Sequence, residues 1–179
     1  MKNGNIVLRI LNNNERDYKL LEKWYQIKNI YSAFEQRKLN YEEIVKKYKP
    51  RTYENTKVPV YMIEYNNNPV GIIQYTCVDD ENKKLYELSD NNIYEIDIFI
   101  GEIDLHNLGI GSKSIKLLTD YLFKEKKAET IVMCPLSNNY KAINCYKKSG
   151  FREIKTFKTE DTIGELKEYV LMETKKATN

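Results

Sequence analysis

Residues 95–125 constrain the fold more than any other part of the chain, because three local patterns follow one another without a break. Isoleucine alternates with acidic or aromatic residues from 96 to 100, as expected of a strand with two different faces. Gly109 and Gly111 then enclose Ile110, and apolar side chains recur at helical spacing over residues 115–122. The segment predicts a strand, a tight glycine turn and a long amphipathic helix.

The glycine turn has two interpretations. The first turn of a helix has unpaired backbone N–H groups and a partial positive charge, so it binds anions readily. Glycine lets a phosphate approach the backbone, and Lys113 in the first turn favours an anion nearby. A plain tight turn explains the same residues equally well. Ser114 stands where a dinucleotide-binding motif needs a third glycine, and the spacing is not that of a Walker loop either.

Length and charge exclude several classes of protein. With 179 residues, the chain predicts one domain, 1–179, large enough for a full hydrophobic core. The net charge is only +3, and the lysines are scattered, so we expect no nucleic-acid partner. No run approaches the roughly 20 apolar residues that span a bilayer, and the N-terminus does not resemble a signal peptide. A cytoplasmic protein without a membrane partner is expected.

The cysteine and histidine content bears on metals and redox state. Cys77, Cys134 and Cys145 lack CxxC spacing, which indicates reduced core thiols of a cytosolic protein. With one histidine and no cysteine cluster, we expect no metal site.

The order of predicted elements is β-α-α-β-β-β-α-β-α-β-β, which indicates an α/β (α+β) protein with a mixed sheet covered by helices. Asn14 is predicted to cap the first helix, and Asn40 with Glu43 forms a capping-box pattern at the second. Residues 31–37 have no clear period and are interpreted as a loop or partial helix. Trp24 fits the buried stripe of the first helix, although it is also a candidate to line a pocket.

An acidic stretch at residues 79–92 has two interpretations. A solvated loop is the favoured one. The alternative is an acidic lip, containing Asp79, that attracts a cationic substrate.

Residues 135–151 form the second informative stretch. Asn139, Ala142 and Tyr146 stand at i, i+3 and i+7 on one face of a helix predicted over 140–148, with Asn138 as its cap. An amide, a small residue and a phenol on one face suit a peptide-like ligand and a proton donor. Tyr146 fits equally well as a buried ring with a satisfied hydroxyl.

Together, HNLGIG (106–111) and NNYKAINCYKKSGF (138–151) resemble the GNAT superfamily of acetyl-CoA-dependent N-acetyltransferases. The first matches the Q/R-x-x-G-x-G/A pyrophosphate loop, except that His106 replaces Gln or Arg, and the second matches N-x-x-A-x-x-x-Y-x-x-x-G-F. Within the superfamily, residues 63–75, 96–111, 22–25 and 168–173 are similar to aminoglycoside 6′-N-acetyltransferases. The resemblance implies a GNAT fold, with a central mixed, mostly antiparallel sheet and a V-shaped opening between the strands at 93–101 and 130–134.

The resemblance also implies the residues that bind the co-substrate acetyl-CoA. Backbone N–H groups of the glycine turn and the side chain of Lys113 would bind its pyrophosphate. Main chain at the end of the preceding strand would pair with the pantetheine arm, and one face of the helix predicted over 140–148 would line that arm. These residues are Leu108, Gly109, Ile110, Gly111, Ser112 and Lys113 for the pyrophosphate, Phe99, Ile100 and Gly101 for the arm, and Asn139, Ala142 and Tyr146 for the lining.

The resemblance implies roles at the reaction centre as well. Tyr146 would protonate the coenzyme A sulfur, and Asp97 would be either the base or the anchor for the substrate ammonium. Trp24, Asp79, Asp97 and Glu168 would bind a cationic amine, with an aminoglycoside favoured. Another amine (a protein N-terminus, a polyamine or an amino-sugar) and a non-catalytic acyl-CoA-binding module are the alternatives. A monomer and a homodimer are both compatible with the sequence.

Overall fold

A computed structural model describes residues 1–176 and contains one eight-stranded sheet with strand order β1-β2-β3-β4-β5-β6-β8-β7. The strands are β1 (Lys2–Asn3), β2 (Ile6–Ile10), β3 (Val60–Tyr65), β4 (Asn68–Cys77), β5 (Ile93–Ile100), β6 (Thr130–Met133), β7 (Arg152–Glu160) and β8 (Leu166–Lys175). The α-helices are α1 (Glu15–Trp24), α2 (Lys28–Phe34), α3 (Tyr41–Tyr48), α4 (Asp80–Tyr86), α5 (Ile110–Lys124) and α6 (Tyr140–Lys148). Short 3₁₀ turns cover Lys49–Thr52 and Ile103–Leu105.

The sheet is mixed and mostly antiparallel, as expected. Neighbouring strands run antiparallel except β5 and β6, which are parallel and joined by the α5 crossover. These two strands pair at three positions only, from Ile93 with Thr130 to Glu95 with Val132. Beyond that point β5 continues for five residues, and the gap between the two strands is called the opening below. The predicted splay of the sheet is therefore confirmed.

Helices cover both faces of the sheet. Because side chains alternate along a strand, Ile96 faces α5 and packs with Ile115 and Leu118 in one core cluster. Phe99 faces the other way and packs with Trp24 and Tyr25 of the α1–α3 layer in a second cluster. The face that carries Glu95, Asp97 and Phe99 is called the acceptor face. Within residues 1–176, no helix is both long and apolar enough to cross a bilayer.

Helix starts follow the predicted caps in two cases. The Asn14 side chain accepts a hydrogen bond from the Asp17 N–H at 2.9 Å. At α3, Asn40 and Glu43 exchange side-chain to backbone bonds as a complete capping box. The segment predicted as a loop or partial helix over 31–37 begins inside α2 and continues past its end.

Three expectations are wrong in part. Residues 79–92 are not all loop, because Asp79 caps α4 through a 2.8 Å bond from the Asn82 N–H, and Tyr86 is buried. The cap of α6 is Asn139 and not Asn138, since the Asn139 side chain accepts from the Ala142 N–H at 3.2 Å. All three cysteines are free, but Cys77 is exposed and is not a core thiol.

Candidate active site

Main-chain groups of β5 line one side of the opening. The Gly101 N–H donates to the Val70 carbonyl at 2.7 Å, and successive residues of an antiparallel strand direct their main chain to opposite sides. The main-chain groups of Ile98 and Ile100 therefore point into the opening. His106 lies there too, with Nε2 2.9 Å from the Ile100 carbonyl oxygen. The side chain that replaces the family's Gln or Arg thus holds the end of β5.

The Phe99 carbonyl does not face the opening, contrary to the expectation for this residue. It lies against Gly71 on β4, where an added Cβ would be 2.2 Å from the Phe99 oxygen. Only glycine permits this close approach of the two strands. The main chain available to an extended ligand belongs to Ile98 and to the Ile100 N–H, since the Ile100 carbonyl already contacts His106.

The glycine turn delivers the N-terminus of α5 to the same opening. Gly109 has φ +77°, a left-handed conformation that favours glycine. Ser112 donates its hydroxyl to the Gly109 carbonyl at 3.0 Å, and within residues 1–176 no side chain caps the first N–H groups of α5. A Cβ added to Gly111 would lie 3.4 Å from Cys145 Sγ, so the helix start is close to α6. The free N–H groups fit a phosphate.

A groove beside this helix start carries three lysines that the sequence analysis named only in part. Lys113, Lys116 and Lys148 line it, together with Ser112, Ser149 and Gly150. The i, i+3 spacing of Lys113 and Lys116 already places both on one helix face. Because several phosphates carry several negative charges, this lysine groove and the helix N-terminus fit a polyphosphate such as that of acetyl-CoA.

Helix α6 supplies a protonated phenol, that of Tyr146. Tyr146 is buried in the cluster on the α5 side. Burial, and then the negative charge of Asp97, raises the pKa of Tyr146 well above its ordinary value. The hydroxyl therefore stays protonated at neutral pH and is able to donate a proton. On the same helix, Asn139 uses its amide oxygen on the cap, which leaves its NH₂ group to donate to a ligand.

Two carboxylates lie together on the acceptor face. Glu95 and Asp97 stand at i and i+2 on β5, so their side chains share a face, and Tyr86 donates its hydroxyl to Glu95 Oε2 at 3.1 Å. Burial, and then the charge of Asp97, raises the pKa of Glu95 to about 7. Burial also raises the pKa of Asp97, against a hydrogen bond from Gln74. The sequence analysis missed Glu95, although strand alternation from Asp97 would have found it.

Two of the expected substrate residues lie elsewhere. Trp24 is fully buried, and its ring packs on Gly101, where an added Cβ would be 2.3 Å away. It is a core residue and not a pocket wall. Glu168 is exposed and shares the sheet face of Val170 and Met172, opposite the acceptor face. The fold therefore does not bring it to Asp97.

Asp79 lies close enough to Glu95 for its charge to act on it. The loop between β7 and β8 contacts the end of α2. There the Thr162 hydroxyl donates to the Glu35 carbonyl at 2.9 Å. Within residues 1–176, no group of three or more His, Cys, Asp or Glu side chains is arranged to hold a metal ion.

Comparison with known proteins agrees with this geometry. The family model described as acetyltransferase (GNAT) domain matches residues 13–159. Aminoglycoside N(6′)-acetyltransferase type 1 from Klebsiella pneumoniae is 25% identical over 162 residues, which cover 89% of this chain and 80% of that protein.

Two solved structures are similar in fold. AAC(6′)-Ib in complex with ribostamycin and coenzyme A has TM-score 0.77 at 21% identity, covering 96% of this chain and 94% of that one. Spermidine N-acetyltransferase from Vibrio cholerae, in complex with coenzyme A and spermine, has TM-score 0.75 at 20% identity, covering 97% and 96%. The family match, the opening and the helix N-terminus lead to one conclusion: this chain belongs to the GNAT family of acetyltransferases.

Proposed function

We propose that this enzyme acetylates an amine of a small polycation, with the 6′-amine of an aminoglycoside as the leading acceptor. The observation that carries the proposal is the half-buried Glu95–Asp97 pair on the acceptor face, since paired carboxylates attract an ammonium and accept its proton. The similarity to an aminoglycoside N(6′)-acetyltransferase over 89% of the chain supports the choice of acceptor.

Acetyl-CoA supplies an acetyl group already activated as a thioester. The lysine groove and the N–H groups of Ile110 and Gly111 bind its phosphates, and the main chain of Ile98 and Ile100 holds the extended arm. Asn139 donates its amide to that arm. Holding donor and acceptor side by side removes roughly 7–11 kcal/mol of the barrier in favourable cases.

The acceptor arrives as an ammonium and must lose a proton before it attacks. Glu95, with a pKa of about 7, takes a proton near neutral pH, and a base of this kind contributes on the order of 10²–10⁴ in rate. Asp97 then anchors the charged amine. The alternative assignment makes Asp97 the base, directly or through water. In both cases Tyr146 protonates the departing sulfur, because its hydroxyl stays protonated.

The contact between Thr162 and Glu35 bears on the acceptor class. It joins two elements at the acceptor face, which disfavours an open groove for an extended peptide. A polyamine or an amino-sugar is the runner-up, since each is also a small cationic amine. A non-catalytic acyl-CoA-binding module would leave the half-buried carboxylate pair without a role.

A coenzyme A release assay tests the proposal with kanamycin, tobramycin, spermidine and a peptide amine as acceptors. Turnover of the aminoglycosides well above that of spermidine is expected. Turnover of spermidine alone would move the proposal to polyamines, and turnover of none, with acetyl-CoA still bound, would favour the binding module. Size-exclusion chromatography with light scattering decides between monomer and homodimer.

Asp97→Asn separates the two roles of the aspartate. If Asp97 is the base, kcat falls while KM for the amine changes little. If it is the anchor, KM for the amine rises and kcat stays near that of the wild type.

A further inference from the structure

Gln74 lies between Asp97 and a cation that the sequence analysis did not name. It pairs directly opposite Asp97 across β4 and β5, and its Nε2 donates to Asp97 Oδ2 at 2.9 Å. Its Oε1 accepts a bond from Arg51 at 2.8 Å. Gln74 is 7% exposed, so water has little access to the middle of this chain of three side chains, while Arg51 and Asp97 at its ends are half-buried.

Arg51 fixes which end of the Gln74 amide faces Asp97. A guanidinium only donates hydrogen bonds, so the amide oxygen must turn toward Arg51 and the NH₂ group must turn toward Asp97. Arg51 is itself held in place, since its guanidinium lies 5.3 Å from the centre of the Tyr48 ring, within the turn Lys49–Thr52 that follows α3. Arg51 and the Asp97 carboxylate therefore require the same orientation of the amide, and Arg51 does so without being hydrogen-bonded to Asp97.

The consequence for Asp97 is specific to one oxygen. Oδ2 receives a donated hydrogen bond, which favours the ionised carboxylate, while Oδ1 accepts none from residues 1–176 and can face an incoming ammonium. Other charged or titratable groups also act on Asp97 from the elements packed around it. They are Lys47, Tyr48, Arg51, Glu35, Glu95, Tyr146 and Cys134.

We propose that Arg51 is a positioning residue, which acts through Gln74 to keep Asp97 an ionised hydrogen-bond acceptor facing the amine. The part of this statement that concerns catalysis rests on the proposed function. The part that concerns Asp97 itself does not, because it describes the resting protein.

A double-mutant cycle tests the proposal with Arg51→Met, Gln74→Met and the double variant. The readout is the titration of the Asp97 side-chain carboxyl carbon by NMR in the resting protein, which needs no acceptor. Each single variant is expected to raise the apparent pKa of Asp97 by about one unit. In the Gln74→Met background, Arg51→Met should add less than about half of the shift that it causes alone, because its connection to Asp97 is already lost. Full additivity would mean that Arg51 acts by charge alone and would overturn the proposal.

Controls separate positioning from folding. Arg37→Met removes an exposed arginine that pairs with Glu43, and it should leave the Asp97 titration unchanged. Acetyl-CoA affinity should stay within about twofold of the wild type in every variant, since the lysine groove is not altered. If Arg51→Met does not fold, Arg51→Lys replaces it, and a shift of equal size with and without Gln74 would again overturn the proposal.

Kinetics distinguish this inference from the proposed function. In an active enzyme, Arg51→Met and Gln74→Met should raise KM for the amine by similar factors if Asp97 is the anchor. If Asp97 is the base, both should shift the acidic limb of the plot of kcat against pH to higher pH. In either case KM for acetyl-CoA should be unchanged. If the wild type acetylates no amine but the titrations still depend on each other, the proposed function fails and the positioning role stands.

Discussion

Replacing Glu95 by glutamine should stabilise the protein at alkaline pH, because a half-buried charge is removed. Glu95 is half-buried and lies two residues from Asp97 on one strand face. Its pKa is raised to about 7 from an ordinary 4.5, first by burial and then by the neighbouring charge. Glutamine has nearly the same shape and still accepts the hydrogen bond that Tyr86 donates.

The size and sign of the change in unfolding free energy follow from the raised pKa of Glu95. A pKa that is about 2.5 units higher in the folded state corresponds to about 3 kcal/mol, at 1.36 kcal/mol per unit. The wild-type protein has this stability below pH 4.5, where the carboxyl is neutral in both states, and loses it as the pH rises through 7. The glutamine variant carries no charge at any pH. Its advantage over the wild type should therefore grow from near zero at pH 4.5 to about 3 kcal/mol above pH 8.

Urea unfolding of both proteins at pH 5, 6, 7, 8 and 9 measures this difference. Glu160→Gln is the matched control, because Glu160 is exposed on β7 and its replacement should give a difference that does not change with pH. Since Glu95 and Asp97 interact, the pH at which half of the stability difference has developed reports the titration of both carboxyl groups together. A constant difference between Glu95→Gln and the wild type would refute the reasoning, as would an advantage that shrinks with rising pH.

Three further changes probe other parts of the site. Tyr146→Phe should lower kcat on the order of 10²-fold with the acetyl-CoA Kd unchanged by calorimetry, and an unaltered kcat would remove its role as acid. Lys113→Met and Lys148→Met should each weaken acetyl-CoA binding about tenfold, the free energy of one charge-assisted hydrogen bond, whereas the exposed Lys126→Met should not; equal affinities in all three would place the phosphates elsewhere. Gly101→Ala should destabilise the fold by about 1–3 kcal/mol in urea unfolding, because its Cβ meets the Trp24 ring at 2.3 Å, and wild-type stability would show that the ring gives way.

Local patterns in the sequence were sufficient for several parts of this structure. The caps at Asn14 and Asn40 depend on residues three positions apart, so the chain alone specifies them. The glycine turn before α5 is equally local, because Gly109 needs a left-handed conformation whatever packs around it. The separation of the two motifs was enough to indicate the family.

Other features depended on contacts between distant segments. Asp79 belongs to a polar stretch whose sequence predicts a loop. Packing of Tyr86 against the sheet stabilises α4 there instead. Glu168 was expected near Asp97 and lies on the opposite sheet face, since the register of β8 decides the direction of its side chain.

The carboxylate pair shows the same division most clearly. The sequence by itself determined that Glu95 and Asp97 share one face of β5, because alternation along a strand is a local property. Only the tertiary structure decided that Tyr86, Gln74 and Arg51 reach this face from three other elements. The proton affinity of the two carboxyl groups depends on the burial and charges that these segments bring. Local sequence patterns do not show which distant segments come close in the fold.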